Sequence, residues 1–319
     1  MGWILEPRQG VMMNIFTKTD LTTMQNYSLS VKIGRTQARI MEYYNALGGK
    51  IYVSCSFGKD SIVLLDIVRR IYPNVLAVFC DTQLEYPEIR QLAKTFPNVE
   101  WLRPDMTFAE VIESKGYPVV GKELSRTIYY ARRGSFWALQ KMDGKFKDGT
   151  KAEVYQRFIK YKYLLDAPFP ISDACCHEMK IKPFQRFEKR SGLHPITGVM
   201  AEESYRRQSA WMKRGCNSFT GKQVMSAPLS FWTEQDVLLY LKLTGIPYAS
   251  VYGDIVEIGG KLKTTGCRRT GCFACMYGMN REKEPNRYQR MKLTHPKLYD
   301  YCVNTLKCGA VLDYMGVNY

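Results

Sequence analysis

Short apolar runs alternating with helical patterns organise the first third of the chain. Ile51-Tyr52-Val53 reads as a buried strand and Ile62-Val63-Leu64-Leu65-Asp66-Ile67-Val68 as a buried helix, with a polar turn between them. Val75 to Cys80 is a second strand, apolar almost throughout, as a strand covered on both faces should be. Tyr86 to Phe96 follows as a helix, Val99 to Leu102 as a third strand, and Thr107 to Ser114 as a further helix. Ahead of these, residues 14 to 26 read as polar and irregular. Tyr27 to Leu47 reads as a helix with Val31, Ile33, Ala38, Ile40, Met41 and Tyr44 as its apolar positions, closed by Gly48-Gly49. The alternation predicts an α/β fold with a doubly wound, mainly parallel sheet.

Residues 116 to 165 break this rhythm. A basic, aromatic helix is predicted over Thr127 to Arg133, and a mobile loop over Gly144 to Lys151. The mix of bases and rings from Tyr155 to Tyr163 could track a nucleic-acid strand, but an amphipathic helix burying its rings is favoured. Strand character returns at His194 to Val199. Near Trp232, Thr233 is placed as a helix N-cap with Asp236 three residues on. After Gly253 the composition shifts to Cys, Gly, Lys and Arg. The expected division is an N-terminal helical segment (1–48), an α/β nucleotide-binding domain (49–253) and a C-terminal cysteine-rich metal-binding segment (254–319).

The turn Ser54-Cys55-Ser56-Phe57-Gly58-Lys59-Asp60-Ser61 carries the first chemistry. A strand, a tight turn and a helix start leave backbone N–H groups pointing outward at the positive end of a helix dipole, which suits a phosphate. Gly58 permits close approach, Ser56 and Ser61 offer hydroxyls, and Lys59 brings a full charge. Asp60 can cap the helix or help place a metal ion. Asp81-Thr82 falls at the C-terminal end of the second strand, where ligands of open α/β sheets gather.

Charge widens the picture. The 319 residues carry 46 basic and 30 acidic side chains, a net charge of +16, which favours polyanionic partners or an anionic ligand. No apolar run approaches the roughly 18 residues needed to span a bilayer. The first eight residues lack a signal-peptide core, so a cytoplasmic protein without membrane partners is expected, with Met12-Met13 as an alternative start. Ten cysteines in such a chain point to metal or redox chemistry rather than a disulfide framework. Cys267, Cys272 and Cys275 are spaced C-x4-C-x2-C, and Cys175-Cys176 are adjacent. Adjacent thiolates suit different irons of a 4Fe–4S cluster better than one zinc ion, and Lys180, Arg268 and Arg269 could offset the cluster's negative charge. A structural zinc site using Cys267, Cys272, Cys275 and one more cysteine is the runner-up.

Several of these blocks resemble a known family. Ser56-Phe57-Gly58-Lys59-Asp60-Ser61 resembles the PP-loop of the ATP pyrophosphatase superfamily, Ser-Gly-Gly-x-Asp-Ser, in the variant of the phosphoadenylyl-sulfate (PAPS) reductase branch. Phe57 stands where the first glycine is usual. The resemblance implies an adenine nucleotide on Ser54, Ser56, Phe57, Gly58, Lys59, Asp60, Ser61 and Asp81. Asp81-Thr82-Gln83 is similar to the family's Asp-Thr-Gly, again with a glycine replaced. Gly198 to Arg207 resembles Gly-x-Arg-x-x-Glu-Ser-x-x-Arg, with Met200 in place of the first Arg, and implies roles for Gly198, Glu203, Ser204 and Arg207 in holding the nucleotide. Cys175 to Pro183 resembles the Cys-Cys-x-x-Arg-Lys-x-x-Pro element of cluster-bearing adenylyl-sulfate reductases, with Met179 for Arg. By that resemblance the cluster ligands are Cys175, Cys176, Cys272 and Cys275, leaving Cys267 spare.

The family's nucleophile lies in Glu-Cys-Gly-x-His, whereas this chain has Lys307-Cys308-Gly309-Ala310-Val311. Cys308, its pKa lowered by Lys307, is therefore only a candidate nucleophile. The leading expectation is an iron–sulfur transferase of sulfur metabolism. It would use ATP and Mg²⁺, with Lys59 and Asp60 in catalysis, to adenylate an acceptor, DNA or tRNA, for sulfur supplied by a cysteine desulfurase. The alternative is a PAPS or adenylyl-sulfate reductase acting through Cys308 with a thioredoxin-like donor. A third reading is a non-catalytic nucleotide-sensing module with a structural metal.

Overall fold

The computed structural model describes residues 15–219 and 224–319; Met12-Met13 and the segment read for a signal peptide lie outside the described residues. Ten strands are described: β1 Ile51–Ser54, β2 Ala77–Cys80, β3 Val99–Leu102, β4 Val119–Val120, β5 His194–Thr197, β6 Asn217–Ser218, β7 Met225–Ser226, β8 Ile255–Ile258, β9 Lys261–Thr264 and β10 Met276–Tyr277. Six form one sheet in the order β3-β2-β1-β5-β7-β6. The β1–β2, β1–β5 and β5–β7 pairs are parallel and β6–β7 is antiparallel. This is the mainly parallel α/β sheet expected. Strand order reverses at β1, between β2 and β5, so the turn after β1 opens at the topological switch point where such sheets bind ligands.

The chain divides into two compact units, the first of Met1–Phe79, Pro87–Trp101 and Glu188–Thr270, the second of Cys80–Tyr86, Leu102–Phe187 and Gly271–Tyr319. In the first, β1 and the helix Lys59–Ile71 are buried nearly throughout, which is why both read as unbroken apolar runs. The helix Leu29–Ala46 forms where expected, but its buried residues are Lys32, Thr36, Ile40 and Tyr43, while Val31 and Met41 are exposed. Polar partners explain the difference. The Trp232 indole Nε1–H donates to Thr36 Oγ1 at 2.9 Å, and Thr36 donates to the Pro228 carbonyl at 3.2 Å. Lys32 Nζ lies 2.5 Å from Asp236 Oδ2. Thr233 caps the helix Glu234–Thr244 in a reciprocal capping box with Asp236, as the sequence indicates. Residues 18–25, read as irregular, are a helix because Thr17 and Asp20 form another capping box.

In the second unit the stretch 117–120 gathers distant segments. Tyr117 bridges Ile171 in parallel, and β4 pairs in parallel with β10. The two cysteine-bearing segments are thus held on one short extended stretch. The predicted loop over 144–151 closes on itself through a Lys145–Lys151 bridge. Residues 153–166 form short helical turns rather than one helix, with Phe158 and Tyr161 buried. Their bases lie on rings of the same unit: Lys141 Nζ is 4.9 Å and Arg157 Cζ 5.3 Å from the Phe158 centroid. Among the described residues, no helix is long and apolar enough to cross a membrane.

The Lys32–Asp236 pair yields a prediction. Asp236→Ala leaves a buried ammonium unpaired and removes a cap, so denaturant unfolding should show a loss of about 3–5 kcal/mol. Adding Lys32→Met should restore most of that loss; an unchanged deficit would show that the pair is not its source.

Candidate functional site

In the first unit the turn after β1 is tied to itself. Ser56 Oγ and Ser61 Oγ are 3.2 Å apart, Ser61 Oγ donates to the Gly58 carbonyl at 2.9 Å, and Cys55 Sγ lies 3.7 Å from Ser61 Oγ. Ser54 closes β1 in register with Thr197 of β5. Gly58 is the N-cap of the helix Lys59–Ile71, which puts the Asp60 and Ser61 N–H groups in its first turn, where intrahelical acceptors are lacking. Its φ of −72° needs no glycine; space does, because an added Cβ would lie 3.1 Å from Tyr252 Oη and 3.4 Å from Thr270 Oγ1. Gly198 is a second point of close approach, since a Cβ there would meet the Asp60 carbonyl oxygen at 3.2 Å.

Phe57, in place of a glycine, has φ +53°, the left-handed region that favours glycine. Its ring offsets that strain: it is fully buried, 5.5 Å edge-on from Phe79 and 5.3 Å from Phe96 between centroids.

The charges of the loop are internally paired. Lys59 is buried, with Nζ 3.3 Å from Asp60 Oδ1 and 3.5 Å from Glu234 Oε1. Asp60 Oδ1 is itself buried and, despite that ion pair, accepts no hydrogen bond. Burial would raise the Glu234 pKa, yet Arg268 and Lys59 hold it below its ordinary value. Arg207 pairs with Glu203, as does Arg269 at 3.4 Å, and Ser204 caps the helix Tyr205–Arg214. Burial and the neighbouring Arg269 lower the Arg207 pKa while Asp60 pulls it back, which brings Arg207 within electrostatic reach of the loop. Arg268 and Arg269, expected to balance thiolate charge, are therefore engaged by Glu234 and Glu203.

Sequence reasoning missed three residues here: Glu234, Tyr252 and Thr270. Tyr252 Oη accepts the Lys59 N–H at 3.1 Å and lies 2.6 Å from Thr270 Oγ1. Burial pushes the Tyr252 pKa up to about 12, so the hydroxyl stays protonated. The only signal for any of them was Glu234's place beside the Thr233 cap; nothing in the spacing marks Tyr252.

The second unit holds Asp81 and the thiols of Cys175, Cys176, Cys272 and Cys275, while Cys267 falls in the first. Asp81 is buried and its Oδ1 accepts the Gln83 N–H at 3.1 Å. Gln83, also standing where a glycine is usual, has φ +61° and is exposed. Cys175 and Cys176 open a helical segment that passes through a π-helical turn at His177–Ile181, and their sulfurs are 4.0 Å apart. Accepting a hydrogen bond from Cys175 lowers the Cys176 pKa to about 6, helped by Lys122 and Lys180 and opposed by burial, while Cys175 is pushed far up. Cys272 and Cys275 act electrostatically on both. Burial opposes the Lys180 charge, but Cys272 and Glu85 outweigh it and raise its pKa.

The four resemblance-implied ligands act electrostatically on one another, and Cys176 and Cys272 act on Lys180. Among the described residues, however, no group of three or more His, Cys, Asp or Glu side chains is arranged to hold a metal ion. A single zinc ion needs its sulfurs drawn around one point at about 2.3 Å. Four cysteines match the donor set of an iron–sulfur centre in kind.

Cys308 is fully buried at the start of the helix Cys308–Tyr314. Burial pushes its pKa up to about 12 against a hydrogen bond from Tyr288, the opposite direction to that expected from Lys307.

The fold and loop define a mainly parallel α/β protein with a PP-loop at the switch point of its sheet. The phosphoadenosine phosphosulfate reductase domain model matches residues 50–118 and 138–277, and the chain belongs to that family. It is 26% identical over 220 residues to the adenosine 5'-phosphosulfate reductase of Staphylococcus haemolyticus, covering 67% of this chain and 70% of that one. It is 24% identical over 246 residues to the enzyme of that name from Oceanobacillus iheyensis, covering 75% and 76% respectively. A crystal structure of phosphoadenylyl-sulfate (PAPS) reductase from Candida auris, a phosphate complex, matches with a TM-score of 0.38 at 15% identity, over 77% of this chain and 97% of that one.

The two replaced glycines should respond oppositely to restoration. Gln83→Gly removes left-handed strain at an exposed site and should stabilise the protein by about 1 kcal/mol. Phe57→Gly removes the same strain but also a core ring, and should cost a net of about 2–4 kcal/mol. Thermal melting of both variants measures the contrast.

Proposed function

We propose that this protein is a sulfonucleotide reductase that acts on an adenylyl sulfate. The observation that carries the reading is the helix start at Gly58–Ser61. There, the Asp60 and Ser61 N–H groups of the first turn, with Lys59 and Arg207 beside them, form a cradle of donors, and the relatives compared above bear the reductase name. Such a cradle binds the anionic tail of a nucleotide and stabilises charge growing on its phosphate as the bond to sulfur breaks. The reaction consumes a dithiol donor of the thioredoxin type. Two thiol sulfurs are oxidised to a disulfide, the sulfur–oxygen bond to the phosphate breaks, the sulfur takes up two electrons and leaves as sulfite, and AMP remains with the phosphate oxygen. Cys308, buried and held protonated, is not assigned as the nucleophile.

Cys175, Cys176, Cys272 and Cys275 would hold a 4Fe–4S cluster, and Lys180 would balance its charge. When bound, that group would supply an anionic, electron-rich iron–sulfur centre whose charge Lys180 offsets. A second reading keeps the ATP-dependent adenylation of an acceptor, DNA or tRNA, for sulfur transfer. It is favoured by the buried Asp60 Oδ1 that accepts no hydrogen bond, an atom suited to a divalent cation such as Mg²⁺.

Anaerobically purified protein given adenosine 5'-phosphosulfate and a dithiol donor should release sulfite, and given ATP should not release pyrophosphate. Pyrophosphate without sulfite would replace the first reading with the second. Lys59→Ala should weaken AMP binding about 10- to 100-fold, the range of a lost charge-assisted contact. Iron and acid-labile sulfide should copurify; zinc in their place would remove the cluster assignment.

A further inference from the structure

The first unit contains a cavity of about 280 Å³ along the helix Tyr205–Arg214. Ser204, Arg207, Trp211 and Arg214 line it as a stripe on one face of that helix, and Arg206 joins them. Val199 also lines it. Its neighbour Gly198 abuts Asp60 and Ser61, so the cavity begins where the nucleotide loop ends.

Three features point to an anion. First, among the described residues no carboxylate lines the cavity, while three guanidinium groups do. Arg207 is paired with Glu203, but neither Arg206 nor Arg214 forms an ion pair with a described carboxylate. Secondly, Trp211 is 3% exposed and its indole Nε1–H, a donor only, meets no oxygen or nitrogen acceptor; the weakly accepting Cys216 thiol is the group it acts on. A buried donor left unmade is costly, so a ligand that accepts from it gains the full value of that bond. Thirdly, burial raises the Cys216 pKa, which keeps that wall of the cavity uncharged. The volume lies just below the usual range for organic ligands.

We propose that this cavity is an oxyanion site that takes a sulfite-type sulfur oxyanion on Trp211 Nε1–H and the guanidinium groups of Arg206 and Arg214. The inference rests on the reductase reading, in which sulfite is the product released beside the loop, and it places a holding site for that product next to the nucleotide.

The test is titration calorimetry of the full chain with sodium sulfite at constant ionic strength, with sulfate, phosphate and AMP titrated separately. Saturable binding of one sulfite, unaffected by saturating AMP, is expected. Arg206→Gln/Arg214→Gln should weaken it at least tenfold and Trp211→Phe at least threefold. Should Trp211→Phe fail to fold, the exposed arginine pair carries the test. Absence of saturable sulfite binding, equal affinity in the arginine variant, tighter binding of phosphate than of sulfite, or competition with AMP would each overturn the proposal. Loss of AMP binding with sulfite binding intact would count against the loop reading alone.

Discussion

Two lysines in the first unit are buried, and both are neutralised by one helix start. The first turn of Glu234–Thr244 sends Asp236 to Lys32 and Glu234 to Lys59, while Thr233 closes the capping box. Charges taken out of water persist only where partners of opposite sign are held in place. That turn therefore fixes the helix Leu29–Ala46 through Lys32 and the nucleotide loop through Lys59. Glu234 also engages Arg268, extending the network toward the Tyr252–Thr270 contact that occupies the Lys59 N–H.

The loop is consequently a preorganised structure. Its serines bond to one another, its aromatic residue is anchored in the core, and its lysine is held by carboxylates. Preorganised donors need no rearrangement when charge develops on a ligand, which is the main electrostatic advantage of such a cradle. The second unit applies a different device. The short stretch 117–120 gathers the segments that carry two thiol pairs, and within one pair the Cys175 hydrogen bond, with Lys122 and Lys180, lowers the Cys176 pKa.

Replacement of family glycines shows how local strain is offset. Phe57 and Gln83 both take left-handed backbone. One is buried among rings and the other sits exposed on an Asp81 turn. The substitutions look alike in the sequence, yet they have opposite energetic balances because only one side chain packs.

The sequence alone determined the parallel α/β core, since fully buried strands and helices must be apolar throughout, and it marked the polar turn between β1 and its helix as the candidate anion site. It also singled out Cys175, Cys176, Cys272 and Cys275, which fall in the same compact unit, because adjacent and C-x2-C cysteines have few other uses in a chain of this kind. Tertiary structure alone decided the rest. The helix Leu29–Ala46 turns a lysine and a threonine inward, where an apolar count would place Val31 and Met41, because Asp236 and Trp232 offer partners that no local pattern encodes. Cys308 is buried, and Glu234 and Tyr252 reach the loop through contacts spanning 175 and 193 positions of chain, with Thr270 joined through Tyr252. Periodicity records which face of an element is apolar; which distant polar group meets it is fixed only when the elements pack.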